Sequence, residues 1–230
     1  QGDPANYSQF NSQNGGNMRF FWSAMSVLLV AAASQASVKF NEALINPAPG
    51  SDDGFEFVEV VSSAPSESLA GLWLIVIEGD GAASGVIDVA LDLTAFGSTG
   101  TNSMLLIRDA IAVLNPVPNP ATTVGIFNFT PDIENGTNTY LLVRSFSGSV
   151  GQDLDATNDG VLDSTPWASV DSAIAWTDTA VVGDYMYAAA VGGTDFVYPT
   201  FAAGAFAEIP GGTLTSFTVT GAAGGPYSIF

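Results

Sequence analysis

Hydrophobic and polar residues alternate along many short stretches of this chain, which is the pattern of β-strands. The clearest case is VIDVALDL, residues 86–93, which predicts a strand with one apolar and one wet face. The predicted apolar face holds Ile87, Val89, Leu91 and Leu93, and the predicted wet face holds Asp88, Ala90 and Asp92. Because GLWLIVIE, residues 71–78, is almost entirely apolar, we predict a central strand that is covered on both faces.

Short β-prone runs recur after residue 37, and residues typical of turns, such as Gly, Pro, Asn and Asp, separate them. An amphipathic helical period is not evident in this part of the sequence. The predicted fold class is all-β, an antiparallel β-sandwich of about ten short strands, with a closed barrel as the alternative. The further strand candidates are residues 38–45, 55–61, 103–107, 124–129, 139–146, 171–176, 184–190 and 213–220.

Residues 18–36, MRFFWSAMSVLLVAAASQA, have the three parts of a secretory signal peptide. A short positive start is followed by an apolar run at 20–33 and then by small residues that allow cleavage before Ser37. The apolar run is shorter than the roughly 20 residues that a membrane span needs. We therefore predict a helical signal peptide and export, with an uncleaved anchor or a buried core helix as the alternatives.

Residues 1–17 are polar, rich in Asn and Gln, and do not begin with Met. We interpret them as sequence upstream of the natural start at Met18 or as an added segment, and we leave them out of the fold. The predicted domain is a single β-sandwich at residues 37–230. It ends without a stop pattern or anchor, so the prediction includes continuation beyond Phe230.

Composition restricts the possible functions. The chain has 47% hydrophobic residues, enough for a core, and its 23 acidic and four basic residues give a net charge of −19. Nucleic acids and anionic membranes attract basic clusters, so we expect neither as a partner after signal cleavage. Without His and Cys the chain cannot form a Ser-His-Asp triad, a Cys nucleophile or an ordinary zinc site. Any bound metal is then a hard cation held by oxygen.

Residues 38–76 resemble the opening of bacterial lamin-tail-like domains. The residues that carry the resemblance are Asn41-Glu42, Asn46-Pro47, Glu56-Phe57-Val58-Glu59, Leu69-Ala70-Gly71 and Trp73. Trp73 lies one position later than the usual Gly-Trp pair of that family. Residues 153–176 are also similar to a segment of its enlarged, exported members. The resemblance implies an immunoglobulin-like sandwich that serves exported proteins as an accessory module, sometimes beside nuclease or phosphatase domains.

The segment QDLDATNDGVLDSTPW, residues 152–167, places four aspartates together in a chain that is only 12% charged. Counted from Asp155, oxygen ligands fall at alternate positions as in a calcium loop, with Gly160 at the sharp turn and Leu162 as an apolar anchor. The predicted calcium ligands are Asp153, Asp155, Thr157, Asp159, Val161 through its carbonyl, and Asp163. The sequence thus predicts a Ca²⁺ site in this loop.

The loop does not form an EF-hand, because Pro166 stands where the bidentate Glu of an EF-hand belongs. One alternative to the calcium site is a solvated loop with the turn Asn158-Asp159-Gly160 at its tip. The other is a pair of catalytic carboxylates.

Three more acids, Glu42, Glu56 and Glu59, are candidate ligands, although such acids more often face water or pair with a base. Trp167 and Trp176 either pack in the core and loops or stack on sugars.

We predict a non-catalytic, calcium-stabilised module, secreted or at the cell surface, that binds an extracellular protein or polysaccharide. The alternatives are a purely structural envelope or matrix protein and an accessory domain of a secreted hydrolase. In the latter case the chemistry belongs to a carboxylate-based glycosidase, or to a nuclease or phosphatase domain beyond Phe230.

Overall fold

The computed structural model of the 230-residue chain describes residues 37–45, 54–110, 117–129, 133–134, 136–177, 183–197, 205–209 and 213–217. In the last two ranges only the backbone is described. The segment predicted to precede the natural start, at 1–17, and the predicted signal peptide, at 18–36, lie outside these residues. The described residues belong to one compact unit that spans residues 35–230.

Short runs rich in Val, Ile, Leu, Phe and Tyr form the strands, and Gly, Asn, Ser and Pro separate them. The strands are β1 (Val38–Leu44), β2 (Phe57–Ser62), β3 (Leu72–Glu78), β4 (Ile87–Asp92), β5 (Met104–Arg108), β6 (Thr123–Ile126), β7 (Asn138–Arg144), β8 (Ser169–Thr177), β9 (Thr194–Val197), β10 (Ala205–Ile209) and β11 (Thr213–Phe217). The helices of the described residues are short 3₁₀ turns at Gly81–Ala83, Leu93–Phe96 and Ala189–Val191. The all-β prediction is confirmed. None of these helices has the length and apolar character that crossing a membrane requires.

The strands form two mixed sheets. One has six strands in the order β11-β10-β1-β2-β5-β6, and the other has five in the order β4-β3-β7-β8-β9. Most pairs are antiparallel, but β6 runs parallel to β5 and β9 runs parallel to β8. The expectation of a fully antiparallel sandwich is therefore wrong at these two edges. A parallel neighbour needs a long crossover, and both parallel pairs follow a long connection in the chain.

The main core lies between the two sheets, as in a β-sandwich. Val58 and Val60 of one sheet belong to the same buried cluster as Leu74 and Val76 of the other. Full burial of such a side chain stabilises the fold by roughly 1.5–3 kcal/mol. Trp176 is only 3% exposed and stacks on Tyr140 with ring centroids 4.6 Å apart. Its flat face is therefore not open to a sugar.

A second core covers the opposite face of the five-stranded sheet. Ile75 and Leu141 point to this side, where they meet Leu154 and Tyr187 from segments outside the strands. Trp167 packs against the same cluster. As predicted, β3 is a central strand, lying between β4 and β7, and it is buried on both faces.

Strand β4 departs from its predicted alternation at Asp88. Val89 pairs with Val76 but Ile87 pairs with Ile77, so the register shifts between these rungs. As a result Val89 faces the core between the sheets, whereas Ile87 joins the second core. The prediction that Ile87 shares a face with Val89 is wrong, because the extra residue of a bulge reverses the side-chain direction.

One predicted strand, at 184–190, is not present. Here the chain crosses the outer face of the five-stranded sheet, and the amide of Tyr187 donates to Oγ1 of Thr139 at 3.0 Å. A strand pattern does not distinguish a segment that pairs in a sheet from one that packs across it. Strands β9 and β10 lie outside the predicted candidates.

Candidate functional site

The acidic loop predicted from the sequence packs on the outer face of the five-stranded sheet. The amide of Ile87 donates to the carbonyl of Gln152 at 2.9 Å, and the amide of Leu154 donates to the carbonyl of Gly85 at 2.8 Å. Leu154 is buried in the second core, and Leu162 packs against that core. The predicted role of Leu162 as an apolar anchor is confirmed. Leu154 and Leu162 thus fix the loop at two points, and Asp155 and Asp159 lie between them in the sequence.

Asp155 is the centre of the loop, and its side chain is fully buried. Its Oδ1 accepts from the amide of Asp159 at 3.1 Å, and its Oδ2 accepts from the amide of Gly160 at 2.8 Å. The hydroxyl of Tyr187 also donates to Oδ2, at 2.9 Å. The carboxylate thereby holds the tip of its own loop and joins it to the segment of Tyr187.

These donors balance the negative charge of Asp155. Burial by itself raises the pKa of this carboxyl group. The Tyr187 hydroxyl and the backbone amides favour the charged form and together bring the pKa below its ordinary value. Burial and the neighbouring Asp155 raise the pKa of Tyr187, so its proton stays on the phenol. The buried charge therefore has compensation within the protein.

The other three aspartates of the loop are exposed and serve as local caps. Asp153 accepts from the amide of Asp155 at 2.9 Å, and Asp159 accepts from the amide of Val161 at 3.0 Å. Asp163 accepts from the amide of Ala156 at 2.9 Å. Aspartate favours such turns because its short side chain reaches nearby amides. These hydrogen bonds therefore explain why the loop contains several aspartates, and the explanation does not require a bound ion.

The six predicted calcium ligands are not brought together as one cluster. Asp155 is buried, whereas Asp153, Thr157, Asp159, Val161 and Asp163 are exposed. Among the residues that the structure describes, no group of three or more acidic side chains is placed to hold a metal ion. Calcium binding by the loop stays a prediction. The geometry corresponds more closely to the alternative of a turn loop, with the addition of a buried aspartate at its centre.

Two glycines allow the loop to approach its neighbours. Gly160 has a φ of 81°, which confirms the predicted sharp turn, and the ring of Tyr185 packs against it. Gly85 has a φ of 90°, and a Cβ atom there would lie 2.7 Å from the Cβ of Asp155. The loop can reach its position only because residue 85 has no side chain.

Glu42 and Glu59 form a pair on the six-stranded sheet. They are directly opposite each other across β1 and β2, next to a register shift between Phe40 and Glu42. Burial and, to a smaller extent, the charge of the nearby Glu59 raise the pKa of Glu42 to about 7. Burial also raises the pKa of Glu59, while a hydrogen bond of 2.6 Å from Asn41 opposes this. Both side chains are half-buried, and each lies opposite another acid instead of a base.

Glu56 has a structural role inside the protein. It is fully buried, and its Oε2 accepts from the amide of Ile133 at 3.1 Å. Next to it, the buried Asp109 accepts from the amides of Glu56 and Phe129 at 3.0 and 3.1 Å. Nothing near Asp109 in the sequence distinguishes it from a turn residue, so its burial was not predicted.

A third group of acids lies where β3 ends and β4 begins. Glu78 is 4% exposed and accepts from the amides of Gly79 and Asp80. Its pKa is raised to about 8, mainly by burial and also by Glu134 and the charge of Asp88, while the hydrogen bond from the amide of Asp80 acts in the opposite direction. Burial raises the pKa of Asp88 as well. At neutral pH this group therefore retains a proton that ordinary carboxyl groups release.

A cleft of about 270 Å³ lies between β1 and the strands β8 and β9. Phe40, Ser172 and Phe196 are among its lining residues. Asp171, also in the lining, is held by Arg144 in an ion pair of 2.7 Å. The Ser172 hydroxyl accepts a hydrogen bond from the amide of Phe40. Two polar groups of the cleft, those of Asp171 and Ser172, are therefore already used in contacts within the protein.

Comparisons with known proteins give no relative for this chain. No protein-family model matches the sequence, and no curated protein and no solved structure matches it.

Proposed function

We propose that this protein is a binding or scaffolding module that acts outside the cell or at its surface and has no catalytic activity of its own. The observation that carries the proposal is the way in which the acidic loop is built. Asp155 joins the loop tip to Tyr187, and both segments form part of a core on the outer face of a sheet. Such a framework presents its loops in one arrangement, which favours recognition of a partner.

The surface charge supports a role in binding. The net charge of −19 creates a negative field that attracts basic partners and increases the rate of their association. A net charge far from zero also favours solubility. We propose a basic extracellular protein as the first class of partner and a polysaccharide as the second.

Export is a separate part of the proposal, and it is supported by the signal pattern at residues 18–36. Fusion of residues 1–36 to a reporter enzyme that works only after export tests this part. Reporter activity outside the cytoplasm is the expected result. Loss of that activity when charged residues interrupt the apolar run would identify the run as the signal.

The lamin-tail-like resemblance supports an immunoglobulin-like arrangement of the sandwich, and we propose this as the finer fold class. It depends on the motifs at 38–76, which lie on β1, β2 and β3 or directly before β2 and β3, except for Asn46-Pro47, which lies outside the described residues. The two parallel pairs at the sheet edges are additions to an antiparallel sandwich. An experimental structure whose antiparallel strands connect in another order would exclude this arrangement.

Calcium is not required by the proposal. Asp155 already has protein donors, and the other loop aspartates hold backbone amides. Calcium binding would require exposed side chains such as Asp153, Asp159 and Asp163 to converge, since the described residues form no such group.

One observation favours a different function, a carboxylate-based glycosidase. Retaining glycosidases use two carboxyl groups about 5–5.5 Å apart, one of them with a raised pKa. Glu42 and Glu59 are directly opposed across β1 and β2, so their side chains lie on the same face of the sheet, and both have raised pKa values. Hydrolysis of a polysaccharide panel that is lost in Glu42→Gln and Glu59→Gln, but not in Asp159→Asn, would establish this alternative.

The main test is a binding assay with the full chain on arrays of extracellular proteins and polysaccharides. We expect saturable binding that weakens as salt concentration rises, with no change in the bound molecule. Conversion of a substrate, or absence of saturable binding to every class on the arrays, would refute the proposed function.

A further inference from the structure

Among the strands that the structure describes, β6 (Thr123–Ile126) pairs along one edge only, and its other edge is open. It is the last strand in the order of the six-stranded sheet, and its inner edge pairs in parallel with β5. The amide of Phe127, just after the strand, donates to the carbonyl of Arg108 at 3.1 Å. Backbone groups in a strand point to alternate sides. The N–H and C=O groups of Val124 and Ile126 therefore point away from β5, toward the open edge.

The same two residues also give this edge an apolar surface. The side chains of Val124 and Ile126 are 43% and 53% exposed, and they lie on one face because they are two positions apart. Gly125 between them faces the other way, where the ring of Phe96 leaves no space for a side chain. One face of β6 is thus filled by the protein, whereas the other carries two exposed β-branched residues.

The edge strand β4 of the other sheet is protected in ways that β6 is not. Asp88 and Asp92 place charge along it, and backbone bonds with Gly151 and Gln152 cover its beginning. Charged residues and covering loops are common means by which proteins prevent strand addition at an edge. Strand β6 has no charged residue and no proline, although its short length limits how many bonds it can offer.

We propose that β6 receives an extended segment of a basic partner protein, which adds to the six-stranded sheet as a further strand beside Val124 and Ile126. This inference depends on the proposed binding function and gives it a location. Strand addition supplies main-chain hydrogen bonds, and the exposed side chains of β6 supply apolar contacts.

The charge of the chain identifies the kind of partner. A second copy would bring another net charge of −19 to the interface, and this repulsion opposes self-pairing. A partner with Lys or Arg between apolar residues gains from the same field. An extended segment with alternating apolar and basic residues is therefore the occupant that fits the edge and the net charge, provided that its basic residues avoid Arg108, which is in register with Ile126.

The test uses the full chain and a ten-residue probe peptide of alternating Val and Lys, blocked at both ends. Ile126→Pro removes an outward N–H group while the bonds to β5 remain, and Val124→Thr with Ile126→Thr removes apolar surface while keeping β-branched residues. The matched control is Val150→Thr, because Val150 is 58% exposed and lies outside the strands. A peptide with the same number of Lys residues, in which prolines replace some of the Val residues, controls for binding by charge alone.

We expect the probe to bind the unmodified chain and the control equally, and each β6 variant about tenfold more weakly. Hydrogen exchange at the amides of Val124 and Ile126 should slow when the probe is added, whereas that of Gly125 should change little. If Ile126→Pro fails to fold, the double threonine variant decides the outcome.

Equal binding of the probe by all variants would overturn the inference. So would a dimer, seen by sedimentation, that the β6 variants abolish, since the occupant would then be a second copy. The array assay distinguishes a failure of this inference from a failure of the proposed function. If array binding persists in the β6 variants, the module binds elsewhere and only the location is wrong, whereas a chain that binds nothing on the arrays refutes the function itself.

Discussion

The hydroxyl of Tyr187 donates a 2.9 Å hydrogen bond to Oδ2 of Asp155, and it joins two segments that are 32 residues apart in sequence. Both residues are buried, so this contact lies inside the protein, beneath the acidic loop. It explains why an exposed acidic loop contains one aspartate that water does not reach. The contact also makes the loop part of the folded body.

Replacement of Tyr187 by Phe should destabilise the protein. The change keeps the ring in the second core but removes a donor to a buried carboxylate, and hydrogen bonds to charged groups contribute about 1.5–3 kcal/mol. Denaturant unfolding of both proteins measures the loss. Tyr185→Phe is the control, because the ring of Tyr185 packs against Gly160 and needs no hydroxyl for this contact. Equal stability of Tyr187→Phe and the unmodified chain would contradict the role assigned to the bond.

Stability should decrease as pH rises from mildly acidic to mildly alkaline values. Burial raises the pKa of Glu78 to about 8 and that of Glu42 to about 7, from a usual value of 4.5. The folded state then binds protons more tightly than the unfolded state, so the proton-linked stability is complete below about 4.5 and disappears as pH passes 7 to 8. Asp155 has the opposite sign, since its lowered pKa gives stability that is lost only at pH values below its usual 3.8.

Denaturant unfolding at pH 5 and pH 8 measures this dependence. The variant Glu78→Gln keeps a neutral group in the buried position, so we expect a smaller difference between the two pH values. Glu67→Gln, outside these acidic groups, should leave the difference unchanged. Higher stability at pH 8 than at pH 5 in the unmodified chain would contradict the raised pKa values of Glu78 and Glu42 in the folded protein.

Replacement of Gly85 by Ala should separate a steric effect from a backbone effect. Gly85 and Gly71 both have positive φ values, 90° and 69°, at which any alanine is strained. Only at Gly85 does the new Cβ meet another residue, 2.7 Å from the Cβ of Asp155. We therefore expect Gly85→Ala to lower the melting temperature more than Gly71→Ala. Equal losses would mean that the loop moves away from residue 85 at little cost.

The calcium prediction can be decided by titration of the full chain. If the loop binds calcium, calorimetry should show uptake and the melting temperature should rise, while magnesium should have a smaller effect because it requires a more regular octahedral site. Asp159→Asn changes an exposed predicted ligand and should weaken that uptake. If the chain takes up no calcium, the calcium prediction is wrong, and the hydrogen bonds alone account for the four aspartates.

The sequence was sufficient for the strands with strong local patterns. The apolar run of β3 predicts its central position, because only a strand covered on both faces needs apolar residues throughout. The bulge at Asp88 could not be predicted, since alternation in the sequence continues through it while the pairing with β3 shifts. The segment around Tyr187 has β-prone residues, yet long-range contacts with Thr139 and Asp155 decide its path.

The candidate site was predicted only in its local part. The turn at Gly160 and the anchor at Leu162 follow from neighbouring residues, and the structure confirms both. The burial of Asp155 depends on Gly85 and Tyr187, which are distant in sequence. The opposition of Glu42 and Glu59 depends on strand register, which one bulge changes.

The second core also determines where this chain tolerates being cut. Exposed loops usually accept nicks and insertions because few buried groups depend on them. Residues 117–121 are of this kind, since all are at least partly exposed. Opening the chain at 156–159 would instead separate Asp155 from the amides it holds, although these four residues are themselves at the surface. New termini made by circular permutation therefore belong at 117–121, and the acidic loop must stay continuous.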